Sequence, residues 1–259
     1  MGLRFLTRLP RRCLHLLVLL LNFLTMKTRF CADDVMVNMP LFHSGDGGSI
    51  PTSPLQLLFR PITNHTANLV AVESHYAHRK APITWAFGAF FNNNLVGIIT
   101  FGKPPSQHLC IGVCGRENQE RVYELNRLWV SDEVPKNGES FLIANTMCLL
   151  DREIVVSFAD TSQGHLGVVY QASNFIYTGL SSKFKDPKVK GKENMHHATY
   201  AHGMTNAQVI EKFGEENVVF VERPRKHRYI YFNCDKRKKK ELLSKLRYKI
   251  TEYPKRQSS

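Results

Sequence analysis

Residues 122–147, VYELNRLWVSDEVPKNGESFLIANTM, decide the fold class of this chain. The first nine alternate as a strand does, with Tyr123, Leu125, Arg127 and Trp129 on one face and Val122, Glu124, Asn126, Leu128 and Val130 on the other. A polar loop, SDEVPKNG, leads into a helix expected over 139–150, and EIVVSFA (153–159) then reads as a buried strand. In ADTSQGHLGVVYQASNFIYTG (159–179) a short helix near 164–173 precedes another strand beginning at Phe175. Strand, helix, strand, helix, strand is most economically built as adjacent parallel strands with helical crossovers. The spacing therefore predicts an α/β (α+β) mixed sheet flanked by helices, with its ligand site at the carboxyl ends of the strands.

Working outward, a strand at 57–62 precedes a helix expected over 64–78. ITWAFGAFF and LVGIITFG then form a hairpin turned at Asn92, Asn93 and Asn94, because Asn tolerates left-handed turn positions. Downstream, Thr205 and Gln208 open a helix that Gly214 ends, and strands at 217–222 and 228–233 follow. The organisation expected is a catalytic-type domain over 57–233, a leader and linker over 1–56, and a basic tail over 234–259. The apolar run LHLLVLLLNFL (14–24) follows Arg11 and Arg12 but is too short to span a bilayer. It reads as a secretory signal, as an amphipathic helix, or as sequence upstream of a start at Met26, Met36 or Met39, since the linker-like HSGDGGSIPTSPL follows it. No stable membrane partner is expected.

The 259 residues are 43% apolar and carry a formal charge of +13, which suits an acidic polymer as partner. The charge is concentrated at 223–256, with 14 Lys/Arg against three acids, interleaved with Tyr229, Tyr231, Phe232 and Tyr248. That pattern fits phosphate-backbone contact, with Arg225, Lys226, Arg228, Lys238, Lys239 and Lys240 as the candidate cations; a solvated charged tail is the plainer alternative. The six cysteines are scattered and expected to be reduced, and His108, Cys110 and Cys114 make only a faint metal-like cluster.

Several residues could carry chemistry. Lys136, Asn137 and Gly138 precede a helix whose first turn holds Ser140, a place suited to a phosphate or pyrophosphate. Neither GxxxxGK[ST] nor GxGxxG is present, which argues against nucleotide hydrolysis and dinucleotide binding. Asp160 ends an apolar strand, where it is either a helix cap or a cleft residue, and Tyr170 lies on the next helix as a candidate general acid or a packing residue. His75 and His78 are expected on one helical face, with Tyr76 between them. Arg127, mid-strand, needs a partner: Asp160, Glu124 or a ligand phosphate.

The blocks YELNRLWVSDEVPKNGESFLIANTM and ADTSQGHLGVVYQASNFIYTG resemble the Mom-type DNA adenine modification proteins of Mu-like phages, whose fold is similar to that of GCN5-related N-acetyltransferases. The likeness covers roughly residues 57–232 and is strongest over 122–180. It implies conversion of the N6 amine of adenine in DNA to a carbamoylmethyl-type modified amine, protecting phage DNA from restriction in the bacterial cytoplasm. The family's functional positions match His75, Tyr76, Arg127, Ser140, Asp160 and Tyr170 here. The resemblance implies acetyl-CoA as cofactor, held around Arg127, Lys136, Asn137, Gly138 and Ser140, although the chain lacks the fold's longer Gly-rich pyrophosphate loop. It also implies iron, for which His75, Tyr76 and Asp160 are the candidate ligands. The partner is double-stranded DNA, whose paired adenine must be flipped out onto aromatic surface; Tyr76, Trp85 and Trp129 are the candidates. The oligomeric state is open, a dimer included. The competing readings are an acetyl-CoA-dependent N-acetyltransferase of a small amine or protein, and a non-catalytic DNA-binding protein.

Overall fold

The computed structural model describes residues 57–134, 136–193, 195, 198–201 and 203–255, so the expected leader and linker fall outside the described residues. β1 (Leu57–Pro61), β2 (Trp85–Phe91) and β3 (Asn94–Gly102) form an antiparallel meander continued by β4 (Val122–Val130). Asn92 and Asn93 take the left-handed backbone that the β2–β3 turn requires. β4 pairs in parallel with β5 (Ile154–Asp160), and the crossover between them carries α3 (Gly138–Met147). The remaining elements are α1 (Asn64–Glu73), α2 (Gln107–Cys114), α4 (Val168–Ala172), β6 (Ile176–Leu180), β7 (Lys185–Val189), α5 (Ala198–Ala201), α6 (Asn206–Phe213), β8 (Val218–Glu222), β9 (Lys226–Phe232) and α7 (Lys236–Ser244). Seven strands make a mixed sheet in the order β1-β2-β3-β4-β5-β9-β6, and β7 with β8 forms a separate two-stranded sheet. The mixed sheet with helical flanks is the fold class expected from the sequence.

Two apolar layers sandwich the sheet. On one face Leu142, Ile143 and Met147 of α3 and Tyr170 of α4 pack with Phe59, Phe87, Ile99 and Val155. On the other, Cys110, Val113 and Leu242 of α2 and α7 pack with Val122, Ile154, Val156 and Phe232.

Four expectations need correction. The strands at 153–159 and 175 onward are not adjacent, because β9 lies between them, antiparallel to both. β9 is fit for that place because Tyr229 is buried in one apolar layer and Ile230 and Phe232 in the other. The helix at 64 stops at Glu73, with Ser74 as its cap, so His75 and His78 do not share a helical face; His78 instead takes φ 44 in a turn. α2, capped by Ser106, and β7 were not expected. The basic segment after 233 is fastened down to Tyr253 and is no free tail. Asp235 caps α7, Leu242 is fully buried, and the Tyr253 hydroxyl donates to Phe175 O at 2.7 Å.

Loop 79–82 is seated on the end of β3, and this closeness is testable. A Cβ on Gly102 would sit 1.8 Å from Pro82 O, so backbone would have to move. Gly102→Ala should destabilise the protein by about 2–3 kcal/mol, at the upper end of overpacking costs, read from urea midpoints at unchanged m-value.

Candidate active site

The parallel β4–β5 pairing runs over 122–125 against 154–157 and then stops, although both strands continue. A bulge in β4 coincides with the parting: Thr100 pairs with Arg127 and Phe101 with Leu125, leaving Asn126 over. Its side chain is fixed, accepting from Thr100 Oγ1 at 2.5 Å and donating to Pro82 O at 2.7 Å. The extra residue also switches the facing, so that Leu125 and then Leu128 and Val130 reach the same apolar layer. Arg127 is therefore not on Leu125's face, as simple alternation had it. At the fork, Ser157 Oγ donates to Leu125 O at 3.0 Å.

Beyond the fork lies a cleft of about 580 Å³ whose walls include His75, Tyr76, Glu124, Arg127, Asp160, Tyr170 and Lys226. Its far wall, 164–167, is tied down by Tyr229 Oη and Gln171 Nε2, both donating to Leu166 O. Gly167 allows this: at φ 70 it opens α4, and a Cβ there would meet the Tyr229 ring at 2.4 Å.

Glu124 lines the cleft floor, partly buried. Burial raises its pKa to about 7 against the pull of Lys226 and Arg127. Tyr170, buried at the fork and hydrogen-bonded to Ser157, is pushed up to about 12, chiefly by burial. His75 is buried, its Nδ1 accepting from Ala77 N at 3.1 Å, and desolvation with nearby Arg127 lowers it to about 4, so it is neutral at pH 7. Its ring lies 4.3 Å from that of Tyr76, whose other neighbour is the edge-on His165 ring at 4.9 Å. Tyr76 keeps 39% exposure, an aromatic surface at the cleft. For Asp160, burial works to raise the pKa, but hydrogen bonds from Ser162 and the Lys226 ammonium at 3.2 Å hold it below the usual range. Asp160 is thus both the cap of a short turn and a cleft wall, the two readings its sequence position offered.

Among the described residues Arg127 forms no ion pair with Asp160 or Glu124, although its charge acts on the Glu124 carboxyl. Its guanidinium donates to backbone carbonyls, Arg79 O at 3.0 Å, Lys80 O at 3.3 Å and Asn126 O at 2.6 Å. It thereby clasps the loop that follows His75 and Tyr76.

Other candidates lie elsewhere. Ser140 donates to Asn137 O at 3.0 Å and, with Asn137, lines a second cavity of about 440 Å³ between α3 and the end of α4. The helix start separates the two cavities, since Glu139 lines the first. Asn137 takes φ 76 ahead of Gly138, and Lys136 precedes both in the exposed turn. Trp85 packs 4.7 Å from Tyr123, away from the cleft walls. Arg228 is buried, bonded to Thr178 and 3.4 Å above the Tyr248 ring, and Arg225 donates to Ser181 O and Leu180 O, so neither stands free for phosphate. Among the described residues no group of three or more His, Cys, Asp or Glu could hold a metal ion, Cys110 and Cys114 included. With His75 Nδ1 and Asp160 already engaged, the described residues do not fit iron. Glu124 entered the sequence reading only as a partner for Arg127; its signal was an acid inside an otherwise buried strand.

The chain matches the sequence profile of the Mom protein family over residues 56–255. It is 31% identical over 236 residues to the methylcarbamoylase mom of Escherichia phage Mu, covering 85% of this chain and 92% of that protein. Similar solved structures include an N-acetyltransferase from Staphylococcus aureus Mu50, at 12% identity over 69% of this chain and 99% of that one, TM-score 0.39. Another is a GNAT family acetyltransferase from Elizabethkingia anophelis with acetyl-CoA bound, at 12% identity over 68% and 97%, TM-score 0.37. A match to the family profile that runs from just before β1 to the last described residue includes both the forked sheet and the cleft, and the chain belongs to the Mom protein family.

Proposed function

We propose that this protein modifies the exocyclic N6 amine of adenine in phage DNA, attaching a methylcarbamoyl-type group that protects the DNA from host restriction. Family membership supports the substrate, and the observation that carries the chemistry is Glu124, poised near pH 7 at the floor of the cleft. The N6 lone pair is delocalised into the ring, so a proton must leave as the new bond forms. The Glu124 carboxylate takes that proton, being basic enough to accept it and ionised in a useful fraction at neutral pH. The Tyr170 hydroxyl, protonated throughout this range, donates to the leaving group. A flipped adenine stacks on the Tyr76 ring, which neutral His75 supports from behind, and the Asp160–Lys226 pair bounds the rim.

Acetyl-CoA, or a related thioester, is the donor we infer. Lys136, Asn137, Gly138 and Ser140 at the start of α3 would hold its phosphates. Such a thioester would supply a two-carbon acyl unit to N6, its C–S bond breaking as the thiol leaves with the Tyr170 proton, and the amide nitrogen of a methylcarbamoyl product would come from a separate nitrogen donor.

Expression of the full chain in a restriction-deficient bacterium, followed by mass spectrometry of nucleosides digested from plasmid DNA, tests the reading. A deoxyadenosine heavier than the parent, with resistance to endonucleases whose sites contain adenine, is expected. Unaltered nucleosides in cells rich in the soluble protein would overturn it.

A further inference from the structure

Between β6 and β9 the chain leaves the main sheet for residues 181–225 and builds an arm of its own. β7 and β8 pair along their whole length, and Val189, Val209, Ala201 and Val218 give the arm a small separate core. Its root is bolted to the rim of the cleft. Thr161 Oγ1, next to Asp160, donates to Arg225 O at 2.6 Å, Arg225 Nε to Ser181 O at 2.6 Å, and Lys226 N to Ser181 Oγ at 2.9 Å. The Lys226 ammonium in turn pairs with Asp160.

One stretch of the arm is rich in lysine. Residues 183–192 hold Lys183, Lys185, Lys188, Lys190 and Lys192 against Asp186, which Arg223 engages bidentately. Lys188 is held by the carbonyls of Glu193 and Met195, but the other lysines enter no ion pair among the described residues. Asp186 and Lys188 pair with Val221 and Val219, so they share a face with these valines, which are 47% and 64% exposed, while Lys185 stands opposite Glu222 on the other face. The lysines of α7, in contrast, begin beyond Phe232, which pairs with Ile154 at the start of β5, whereas the cleft is at Asp160, the other end. The two ends of β5 are about 20 Å apart at the usual strand rise.

We propose that the β7–β8 arm is the duplex-docking surface of this enzyme: its lysines grip phosphates flanking the target while the flipped adenine enters the adjoining cleft. This rests on the reading of DNA as substrate. A two-stranded ribbon is narrow enough for a major groove, and its five-residue strands span about 13 Å beyond the rim, so DNA entering the cleft passes the arm.

The test compares full-length wild type with two variants, Lys183→Ala/Lys185→Ala/Lys190→Ala/Lys192→Ala and Lys238→Ala/Lys239→Ala/Lys240→Ala. Binding to a labelled duplex is followed by fluorescence anisotropy over a salt series. Each phosphate contact contributes a slope of about −0.9 in log affinity against log salt, so the arm variant should flatten the slope by about 3–4 and bind about tenfold or more weakly at 100 mM salt. The α7 variant should keep the wild-type slope. An unchanged slope in the arm variant, or flattening confined to the α7 variant, overturns the inference while wild type still modifies DNA. Wild-type protein that neither binds duplex nor alters its nucleosides overturns the substrate reading, and the inference falls with it.

Discussion

Glu124→Gln should lower the rate of adenine modification at pH 7 by two to four orders of magnitude, about the range that a positioned general base contributes. The amide keeps the shape of the side chain and removes its ability to take a proton. In the wild type only the carboxylate form is competent, so the rate should rise with pH through about 7 and level off above, a limb that the Gln variant lacks. Stability should move the opposite way. The folded pKa is raised above the ordinary 4.5, so the protonated carboxyl favours the fold fully below that value and the advantage is lost as pH rises through about 7. The Gln variant, with nothing to ionise, should therefore gain on wild type in thermal midpoint between pH 5 and pH 8. Single-turnover rates and melting curves across that range check both trends, and a Gln variant with wild-type rate would remove Glu124 from the mechanism.

Arg127→Ala should cost about 2–3 kcal/mol of stability and at least about a hundredfold in rate. The guanidinium joins carbonyls of Arg79, Lys80 and Asn126, and without it the loop from His75 to Pro82 keeps only its lesser ties, such as Ala81 N to Asn68 Oδ1 at 2.9 Å. Tyr76 would then wander from its place above the cleft. Arg127→Lys is the informative companion, because one ammonium cannot span the carbonyls that the planar fork reaches together. It should recover part of the stability and little of the rate. Equal recovery of both would mean that Arg127 supplies charge alone.

Much of this architecture is legible in local patterning. The β4–α3–β5 order follows from period-two alternation and an apolar run, and Asn92–Asn93 announces its turn. Thr205 and Gln208 make the reciprocal capping box that their spacing suggests. What escaped local reading depends on partners distant in sequence. The bulge at Asn126 is held by Thr100 and Pro82, so nothing inside VYELNRLWV reveals that Arg127 changes face. The insertion of β9 between β5 and β6 likewise depends on pairs distant in sequence, as Asp160 with Lys226 and Leu180 with His227 show. The basic count over 223–256 misled for the same reason: Arg228 is a cation by composition and a core residue by position, stacked on Tyr248. Ser140 and Asp160 were expected around one cleft because both lie at strand ends, yet the helix between them divides the space in two.

The central place of β9 also fixes when the protein can become itself during synthesis. Until residues 226–232 have emerged from the ribosome, β5 and β6 present open edges, and Val155, Val156 and Ile176 lack the β9 strand they pair with. A nascent chain in that condition offers unpaired strands to any other such chain, which is the usual route to aggregation. The fold must therefore close late, from its C-terminal end, with α7 and the strap to Tyr253 arriving in the same stroke. Chains cut short before Lys226 should leave the ribosome unable to finish, however complete their N-terminal meander, and should accumulate as insoluble material.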